Sequence, residues 1–268
     1  MNMASFSKCI VLGAKGFIGS AITVCAQRLG LEVVAVDVDN YDAMRGSRAD
    51  LLINAAGNSR KYLDDRDPLQ GYELSVSSVM RILRDFHYDC FVHLSSGAVY
   101  PREDDPRANA EAVALDPSAM TNYGFHKWLA EQLVLKYAPR HVILRMGGFV
   151  GPGLKKNAIH DLLAGGKLHV HPDSEFQFMD TRDLARSIFD LLPKLPASRA
   201  VYNISARGVV SMRQAAAWIG CRPADAAEHL PVCRAELNVE KIGALLDLPD
   251  TRETVRRFLR EKLPNALE

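Results

Sequence analysis

A chain of 268 residues, of which 48% are apolar and 24% charged, is long enough to bury a large core and keep a solvated surface. Its 33 basic and 32 acidic residues nearly cancel, which disfavours nucleic acid or an anionic membrane as the main partner. The five cysteines lack C-x-x-C spacing, and no apolar run approaches the ~18 residues of a membrane span, so we expect a soluble, cytoplasmic protein with free thiols.

The first half of the chain alternates between short apolar runs and helical patterns. Strands are expected at residues 9–13, 32–37, 50–57, 90–96 and 141–147. Continuous apolar strands separated by helices are typical of a parallel sheet that is covered on both faces. The sequence therefore predicts an α/β fold with a Rossmann-like, doubly wound parallel sheet.

The pattern becomes looser after residue 153. It predicts a short helix near 157–164, a strand at 168–171, a helix at 183–192 and a strand at 200–205. We expect an NAD-binding domain made of residues 1–153 and 178–205. The remaining segments, 154–177 and 206–268, are expected to form a small C-terminal substrate lobe.

A glycine-rich turn, GAKGFIGS, follows the first strand. Gly13, Gly16 and Gly19 are three residues apart, and a helix begins near Phe17 and Ile18. Glycines let the backbone approach a pyrophosphate, and a helix N-terminus offers unpaired N–H groups with a partial positive charge. All five residues are candidate cofactor contacts. The spacing differs from the commonest dinucleotide fingerprint, so a plain turn is the alternative.

Asp37 ends the second strand, 18 residues after Gly19. A carboxylate at this point can accept hydrogen bonds from both ribose hydroxyls of an adenosine, and it repels a 2′-phosphate. NAD is therefore expected as the cofactor in preference to NADP. Lys15, inside the glycine turn, could attract a phosphate and keeps NADP open as the less favoured alternative.

The segment NYGFHK places Tyr123 four residues before Lys127, so both side chains lie on one face of a predicted helix. A nearby ammonium lowers the pKa of a tyrosine, which can then exchange a proton with a substrate hydroxyl. The spacing alone also fits a solvated helix face. Ser96, at the carboxyl end of a central strand, is expected to hold the reacting oxygen, and Ser95 competes for that role.

In this order, GAKGFIGS, Asp37, INAAG, HLSSGAVYP, NYGFHK and RMGGFVGPG resemble the extended short-chain dehydrogenase/reductases, the NAD-dependent epimerase/dehydratase group. The resemblance runs nearly from end to end. It implies a catalytic triad of Ser96, Tyr123 and Lys127, in which Tyr123 is the acid/base and Lys127 also holds the nicotinamide ribose. It also implies hydride transfer at a sugar carbon, most often C4 of a nucleotide-linked hexose, and a homodimer formed through paired helices, one of them carrying Tyr123.

The same resemblance adds further contacts. The INAAG motif makes Ala55, Ala56 and Gly57 candidate cofactor contacts, together with Tyr123 and Lys127. Candidate substrate contacts are Ser96, Gly97, Tyr123 and Gly148. The three histidines between residues 160 and 171 lack the spacing of a metal site, so no metal is expected.

The chain departs from the family pattern at several positions. Only 12 residues separate Asp37 from Asp50, so the sheet is expected to lack an edge strand, and Ser75 stands where the family usually has asparagine. Gly97 and Ala98 replace the Asp-Glu pair of the dehydratases, and Ala98 also replaces the cysteine of a double epimerisation, so both reactions are disfavoured.

Phe176 or Gln177 stands where nucleotide-sugar epimerases commonly have an arginine that binds diphosphate. Substitutes for this arginine are sought among Arg182, Arg207 and Arg234, each of which also fits a plain surface cation.

These observations predict an NAD-dependent oxidoreductase that acts on a sugar, as a 4-epimerase or a 4-keto-sugar reductase, with a nucleotide sugar as the expected small-molecule substrate. One alternative is an NAD(P)-dependent reductase or dehydrogenase of a non-nucleotide substrate, which the missing arginine motivates. A second alternative is a non-catalytic NAD-binding regulatory protein.

Overall fold

The computed structural model describes residues 6–165, 167–195 and 199–263. Within these ranges the strands are β1 (Lys8–Leu12), β2 (Glu32–Val36), β3 (Arg48–Asn54), β4 (His87–Leu94), β5 (His141–Met146), β6 (Gly148–Val150), β7 (Glu175–Phe176), β8 (Phe178–Asp180), β9 (Arg199–Ile204), β10 (Val210–Ser211) and β11 (Arg234–Ala235). The helices are α1 (Phe17–Arg28), α2 (Tyr41–Met44), α3 (Lys61–Arg66), α4 (Pro68–Tyr72), α5 (Ser78–Asp85), α6 (Asn122–Tyr137), α7 (Ala158–Leu163), α8 (Thr181–Leu191), α9 (Met212–Ile219), α10 (Glu240–Gly243) and α11 (Thr251–Lys262).

Six strands form the central sheet in the order β2-β1-β3-β4-β5-β9, and all of them are parallel. Their residues are apolar on both faces because helices cover both faces. Cys9 and Val11 of β1 pack into a core shared with α1 and α8, whereas Ile10 and Leu12 pack into a core shared with α5 and α6. The predicted Rossmann-like, doubly wound fold is confirmed.

The strand β2 lies at one edge of this sheet, and the four-residue helix α2 leads from it towards β3. The sequence analysis expected no further edge strand between Asp37 and Asp50, and the structure, which describes this whole segment, has none there. On the other side of β3, a π-helical turn, Glu73–Ser77, joins α4 to α5 and packs against α6.

The strand predicted at residues 168–171 is wrong, because the segment has no strand partner. Leu168 is instead buried in a third core, which α7, α9 and α11 share. The neighbouring strand β7 makes the ladder in this region, pairing with β10 and β11.

The C-terminal part of the chain packs into more than one of the hydrophobic cores. Ile242, Leu246 and Leu248, which were expected in the substrate lobe, pack into the core shared by β1, α1 and α8. The exact division of the chain into two lobes stays a prediction. No helix among the described residues is long and apolar enough to cross a membrane.

Candidate active site

The glycine turn brings three segments together at the carboxyl edge of the sheet. Gly13 has a φ of +73°, and its N–H donates to Val36 O at 2.8 Å. A Cβ on Gly13 would lie 3.0 Å from backbone atoms of Ala55 and Ala56, and a Cβ on Gly19 would lie 2.0 Å from Gly13 O. Only glycine fits at these two positions, so the turn depends on the residues that the motif predicted.

The helix α1 begins directly after this turn. Gly16 is its N-cap, and no side chain caps the N-terminal N–H groups. The side chains of Phe17 and Ile18 pack against the core, so these two predicted contacts can offer a ligand their backbone N–H groups. This uncapped N-terminus fits the pyrophosphate of a dinucleotide.

Asp37 follows β2 and closes the adenosine side of the cleft. Its carboxylate accepts from Lys15 N and from Val38 N, each at 2.9 Å. The ammonium of Lys15 donates to Asp39, so its charge is paired with a carboxylate. The carboxylates of Asp37 and Asp39 therefore flank the position where the sequence analysis expects the adenosine ribose of the cofactor.

Ala55, Ala56 and Gly57 leave the end of β3 beside the glycine turn. Ala55 N donates to Leu12 O at 3.0 Å, which ties this loop to β1, and Gly57 is exposed with a φ of +138°. The glycine turn, Asp37 and this loop thus form one cleft whose residues fit a dinucleotide. When bound, the nicotinamide of such a cofactor would supply a hydride acceptor or donor.

The two serines at the end of β4 have different partners. Ser95 is buried, and its hydroxyl donates to Glu131 Oε1 at 2.5 Å. Ser96 is partly exposed, accepts from Ala98 N at 3.2 Å and lies near enough to Tyr123 to lower the pKa of its phenol. Ser96, not Ser95, therefore faces the tyrosine, and Ser95 is engaged in the core.

Tyr123 and Lys127 lie in the first turns of α6, both buried, and Thr121 caps the helix by accepting from Gly124 N at 3.1 Å. Lys127 Nζ donates to Leu94 O at 3.1 Å. The expected lowering of the tyrosine pKa by the lysine is wrong for this structure. Burial raises the pKa of Tyr123 to about 12, against a smaller lowering by the Ser96 hydroxyl.

Burial also acts on Lys127, since it lowers the pKa of this ammonium to about 8. The carboxylates of Glu131 and Asp64 oppose the shift without overcoming it. The Lys127 ammonium therefore loses its proton only slightly above neutral pH, whereas the phenol of Tyr123 stays protonated there.

A buried polar compartment lies behind Lys127. Asn54 Nδ2 contacts His93 Nδ1 at 3.3 Å, and Asn54 Oδ1 accepts from Ala56 N, so the His93 Nδ1 accepts and its Nε2 carries the proton. Burial and the charge of Lys127 lower the pKa of His93 well below its usual value. His93 Nε2 and Ser75 Oγ have no hydrogen-bond partner among the described residues.

A buried ion pair, which the sequence analysis missed, supports this end of the sheet. Arg145 of β5 donates to both carboxylate oxygens of Glu131, with the closest contact at 2.8 Å. Arg145 also donates to Tyr100 Oη at 2.8 Å, and Tyr100 donates to Asn203 Oδ1 at 2.9 Å. A charged residue inside the apolar strand HVILRM was the available signal.

A cavity of about 330 Å³ opens beside Ser96 and Gly97, within the range of small-molecule sites. Gly148 lies in its wall, as predicted, because β6 pairs with β8 beneath it. The rest of the wall is mostly apolar and includes Met146, Val170, Phe176, Phe178 and Leu237.

Three charged residues that the sequence analysis did not identify also line the cavity, Lys61, Glu103 and Glu236. The first two are close together. Lys61 Nζ lies 3.5 Å from Glu103 Oε1 and 5.9 Å from the centre of the Tyr123 ring. They follow no local motif, because Lys61 comes from α3 and Glu103 from a loop, and only the fold brings them together.

Leu237 forms a roof over the loop that carries Ser96 and Gly97. A Cβ on Gly97 would lie 2.7 Å from its side chain, so the loop and the roof are in direct contact. The amide of Gln177 accepts from Leu237 N at 3.0 Å and donates to Leu237 O at 3.3 Å. Asn109 holds the residues on either side, donating to Glu236 O and accepting from Asn238 N. We call Leu237 and these side-chain bonds the roof clamp.

The three arginines considered as substitutes for a diphosphate ligand are all paired with carboxylates. Arg182 contacts Asp180 and Glu261, Arg207 contacts Asp247, and Arg234 contacts Glu175 and Glu236. None of them can bind an anion without giving up an ion pair. Phe176 and Gln177, the two candidates for the family's arginine position, both lie in the cavity wall.

Comparisons with known proteins agree with this geometry. The model of the NAD dependent epimerase/dehydratase family matches residues 9–205, and a search of curated protein sequences gives no match. A solved UDP-galactose 4-epimerase is 21% identical, with a TM-score of 0.79 and coverage of 96% of this chain and 99% of its own. MoeE5 in complex with UDP-glucose and NAD is 20% identical, with a TM-score of 0.75 and coverage of 96% and 99%.

A dTDP-4-dehydrorhamnose reductase from Bacillus anthracis, in complex with NADP, is 16% identical, with a TM-score of 0.76 and coverage of 97% of this chain and 99% of its own. At such identities these structures support the fold alone. The family model, in contrast, covers most of the chain. This chain is therefore an enzyme of the NAD-dependent epimerase/dehydratase family, an oxidoreductase group that uses NAD or NADP.

Proposed function

We propose that the enzyme interconverts a secondary hydroxyl and a ketone on a nucleotide-linked sugar, as a 4-epimerase or a 4-keto-sugar reductase. The observation that carries the proposal is the close packing of α6 on the turn after Ser96, which places Tyr123 beside this cavity-lining serine, with Lys127 one helical turn further along α6. This arrangement offers a substrate oxygen one hydroxyl donor and one proton-transfer group together.

The proposed roles follow from these contacts. In the oxidation direction Tyr123 must first become a phenolate by losing its own proton to solvent; Ser96 Oγ then holds the substrate oxygen, Tyr123 Oη accepts its proton, and the hydrogen on the same carbon leaves as hydride for the nicotinamide acceptor. Lys127, on the same face of α6, is the cation we propose to stabilise this phenolate, although in this structure its ammonium donates to Leu94 O and does not lower the pKa of Tyr123. In the reduction direction Tyr123 returns the proton to the oxygen.

We propose NAD as the cofactor in preference to NADP. The side chain of Asp37 and the ion pair between Lys15 and Asp39 support this choice, since a 2′-phosphate there would meet carboxylates and no unpaired Lys15 charge. NADP stays the less favoured alternative.

Gly97 and Ala98 are both buried and carry no acid or base, so a dehydratase is not proposed. An epimerase would retain its NAD and turn over without added cofactor, whereas a reductase would consume NADH in proportion to product. Quantifying the cofactor that copurifies with the protein, and the NADH used per turnover, separates these two activities.

A second candidate is a reductase or dehydrogenase of a non-nucleotide substrate. Phe176 favours it, because this ring lies in the cavity wall 6.3 Å from the ring of Phe178, at one of the two candidate positions for the family's arginine. The third alternative, a regulator without catalysis, has no contact in its favour. We further propose a cytoplasmic homodimer, as the family resemblance implies.

The test of the mechanism is Tyr123→Phe. The phenyl ring keeps the packing but cannot exchange a proton, so turnover should fall by at least about a hundredfold, within the usual contribution of general acid–base catalysis. NADH binding should change by less than about twofold and stay tighter than NADPH binding. Steady-state kinetics with UDP- and dTDP-sugars, and calorimetric titration of both cofactors, measure these effects. Unchanged turnover would refute the proposed role of Tyr123.

A further inference from the structure

Two cations from distant parts of the chain, Arg60 and Lys156, are each next in sequence to a residue that lines the cavity, Lys61 and Asn157 respectively. Lys156 Nζ donates to the carbonyl oxygen of Ser59 and, at 3.1 Å, to its hydroxyl. Arg60 is the next residue after Ser59, in the loop that follows Gly57. The segment before α7 is thereby joined to the loop at the end of β3, across the mouth of the cleft.

No carboxylate balances these two cations in the part of the chain that the structure describes. Both acceptors of the Lys156 ammonium are neutral, and the charges that act on its pKa include only that of Arg60, which, together with partial burial, lowers it. By contrast, Arg182, Arg207 and Arg234 are all paired with acids. Two like charges held together are unfavourable unless an anion joins them.

The backbone next to Lys156 is strained in a way that fixes this arrangement. Asn157 has a φ of +132°, a conformation that L side chains rarely adopt and that in proteins accumulates at ligand sites. Its side chain holds the conformation by donating to Phe149 O at 2.8 Å and accepting from His160 N at 3.0 Å. Asn157 itself lines the cavity, so Lys156 is held beside a fixed part of its wall.

The loop that carries Arg60 also connects the candidate cofactor cleft with the cavity. The loop from Gly57 to Lys61 leads from the cofactor cleft to the cavity, where Lys61 is in the wall. A diphosphate has oxygens enough to accept from an ammonium and a guanidinium together, and guanidinium groups bind phosphates in a bidentate manner.

We propose that Arg60 and Lys156 form a binding site for a diphosphate group, in place of the family's arginine, where this chain has Phe176 or Gln177. The diphosphate belongs either to a nucleotide-linked substrate or to the dinucleotide cofactor. The proposal rests on the proposed function only if the diphosphate belongs to the substrate.

The test compares Arg60→Gln and Lys156→Gln with the matched control Lys155→Gln. Glutamine can still donate to Ser59, and Lys155 is an exposed neighbour whose replacement removes the same charge from the same segment. The probes are inorganic pyrophosphate, UDP and NADH, titrated calorimetrically at low and high salt. Thermal unfolding of each variant confirms that it is folded.

We expect each of the two variants to bind a diphosphate probe roughly tenfold more weakly, as for the loss of one charge-assisted hydrogen bond. Weaker binding of pyrophosphate and UDP with unchanged NADH identifies the substrate as the source, whereas weaker NADH binding identifies the cofactor. Lys156→Arg should retain the affinity. If both variants bind all three probes as Lys155→Gln does, the proposed site does not exist.

These probes contain no reacting sugar carbon, so the outcome is separate from that of Tyr123→Phe. An intact diphosphate site in an enzyme that turns over no nucleotide sugar would refute the proposed function and leave this site standing.

Discussion

The ammonium of Lys127 is a buried cation of the candidate site, with 6% of the residue exposed. Glu131 lies one helical turn further along α6 and Asp64 comes from α3, and both raise its pKa, yet burial lowers the pKa to about 8. A lysine in this state is less favourably protonated in the folded protein than in the unfolded chain. Lys127, to which we assign a role in the chemistry, is therefore expected to lower the free energy of unfolding at neutral pH.

Lys127→Met tests this expectation. Between about pH 8 and the ordinary lysine pKa near 10.5, the unfolded chain binds a proton that the folded protein has released, so the stability of the wild type should rise with pH. Methionine removes this contribution. The free energy of unfolding of the variant relative to wild type should thus fall by about 1 kcal/mol per pH unit in this window.

Urea denaturation at pH 7, 8, 9 and 10 measures the difference, with Lys155→Met as the control for an exposed lysine. A difference that stays constant across these pH values would mean that Lys127 remains protonated in the folded protein.

At the scale of elements, the contact between α6 and the loop that carries Ser96 and Gly97 sets the geometry of the site. Gly124 packs directly on the short 3₁₀ turn Gly97–Val99, because a Cβ on Gly124 would lie 2.0 Å from Ala98 O. Tyr123 precedes this glycine and Ser96 precedes the turn. The separation of the Ser96 and Tyr123 side chains therefore depends on how closely the helix and the turn approach each other.

Gly124→Ala should force α6 away from the turn, since a backbone oxygen cannot move aside as a flexible side chain can. We expect the melting temperature to fall by several degrees and kcat to fall by roughly tenfold or more, as for a small misplacement of reacting groups. Gly243→Ala is the control, because its Cβ would meet no atom closer than 4.0 Å. Wild-type kcat in Gly124→Ala would contradict the dependence on this contact.

At the scale of the whole molecule, exposed apolar side chains occur on α6, the helix that the family resemblance assigns to a dimer interface, and on α4, which packs against it. Leu69 and Tyr72 of α4, and Leu135 and Tyr137 of α6, are between 39% and 72% exposed. Burying such side chains against a second copy would remove apolar surface from water.

We therefore expect a particle of twice the 29.6 kDa chain mass in light scattering after size-exclusion chromatography. Leu69→Glu should shift the equilibrium towards the monomer, because it places a charge in the interface. Val38→Glu is the matched control, since Val38 is 93% exposed and belongs to neither α4 nor α6. A wild-type protein that elutes as a monomer at all concentrations would rule out the dimer.

The fold was predictable where a residue pattern reports local physics. The central strands are apolar on both faces, and Gly13 and Gly19 are needed by the turn itself, so both features were visible in the sequence. The strand predicted at 168–171 failed because a strand also needs a partner, which no local pattern reveals. Ser96 could be distinguished from Ser95 only after Glu131 was placed against Ser95.

The pKa of Tyr123 was mispredicted for a related reason. The i, i+4 spacing shows that Lys127 is near, but it does not show how deeply the tyrosine is buried, and burial is the larger effect. Lys61 and Glu103 were missed because they meet only through the fold. Spacing along one helix was therefore predictable, whereas burial and contacts between distant segments were not.

The roof clamp has a consequence for how the enzyme selects among substrates. Leu237 is held through both its N–H and its carbonyl oxygen by one amide side chain, and Asn109 holds the residues on either side. A wall restrained in this way does not adapt its shape to whatever enters. We expect the enzyme to discriminate by steric exclusion, so that bulky groups near the reacting carbon are rejected and no closing motion is needed to recognise smaller ones.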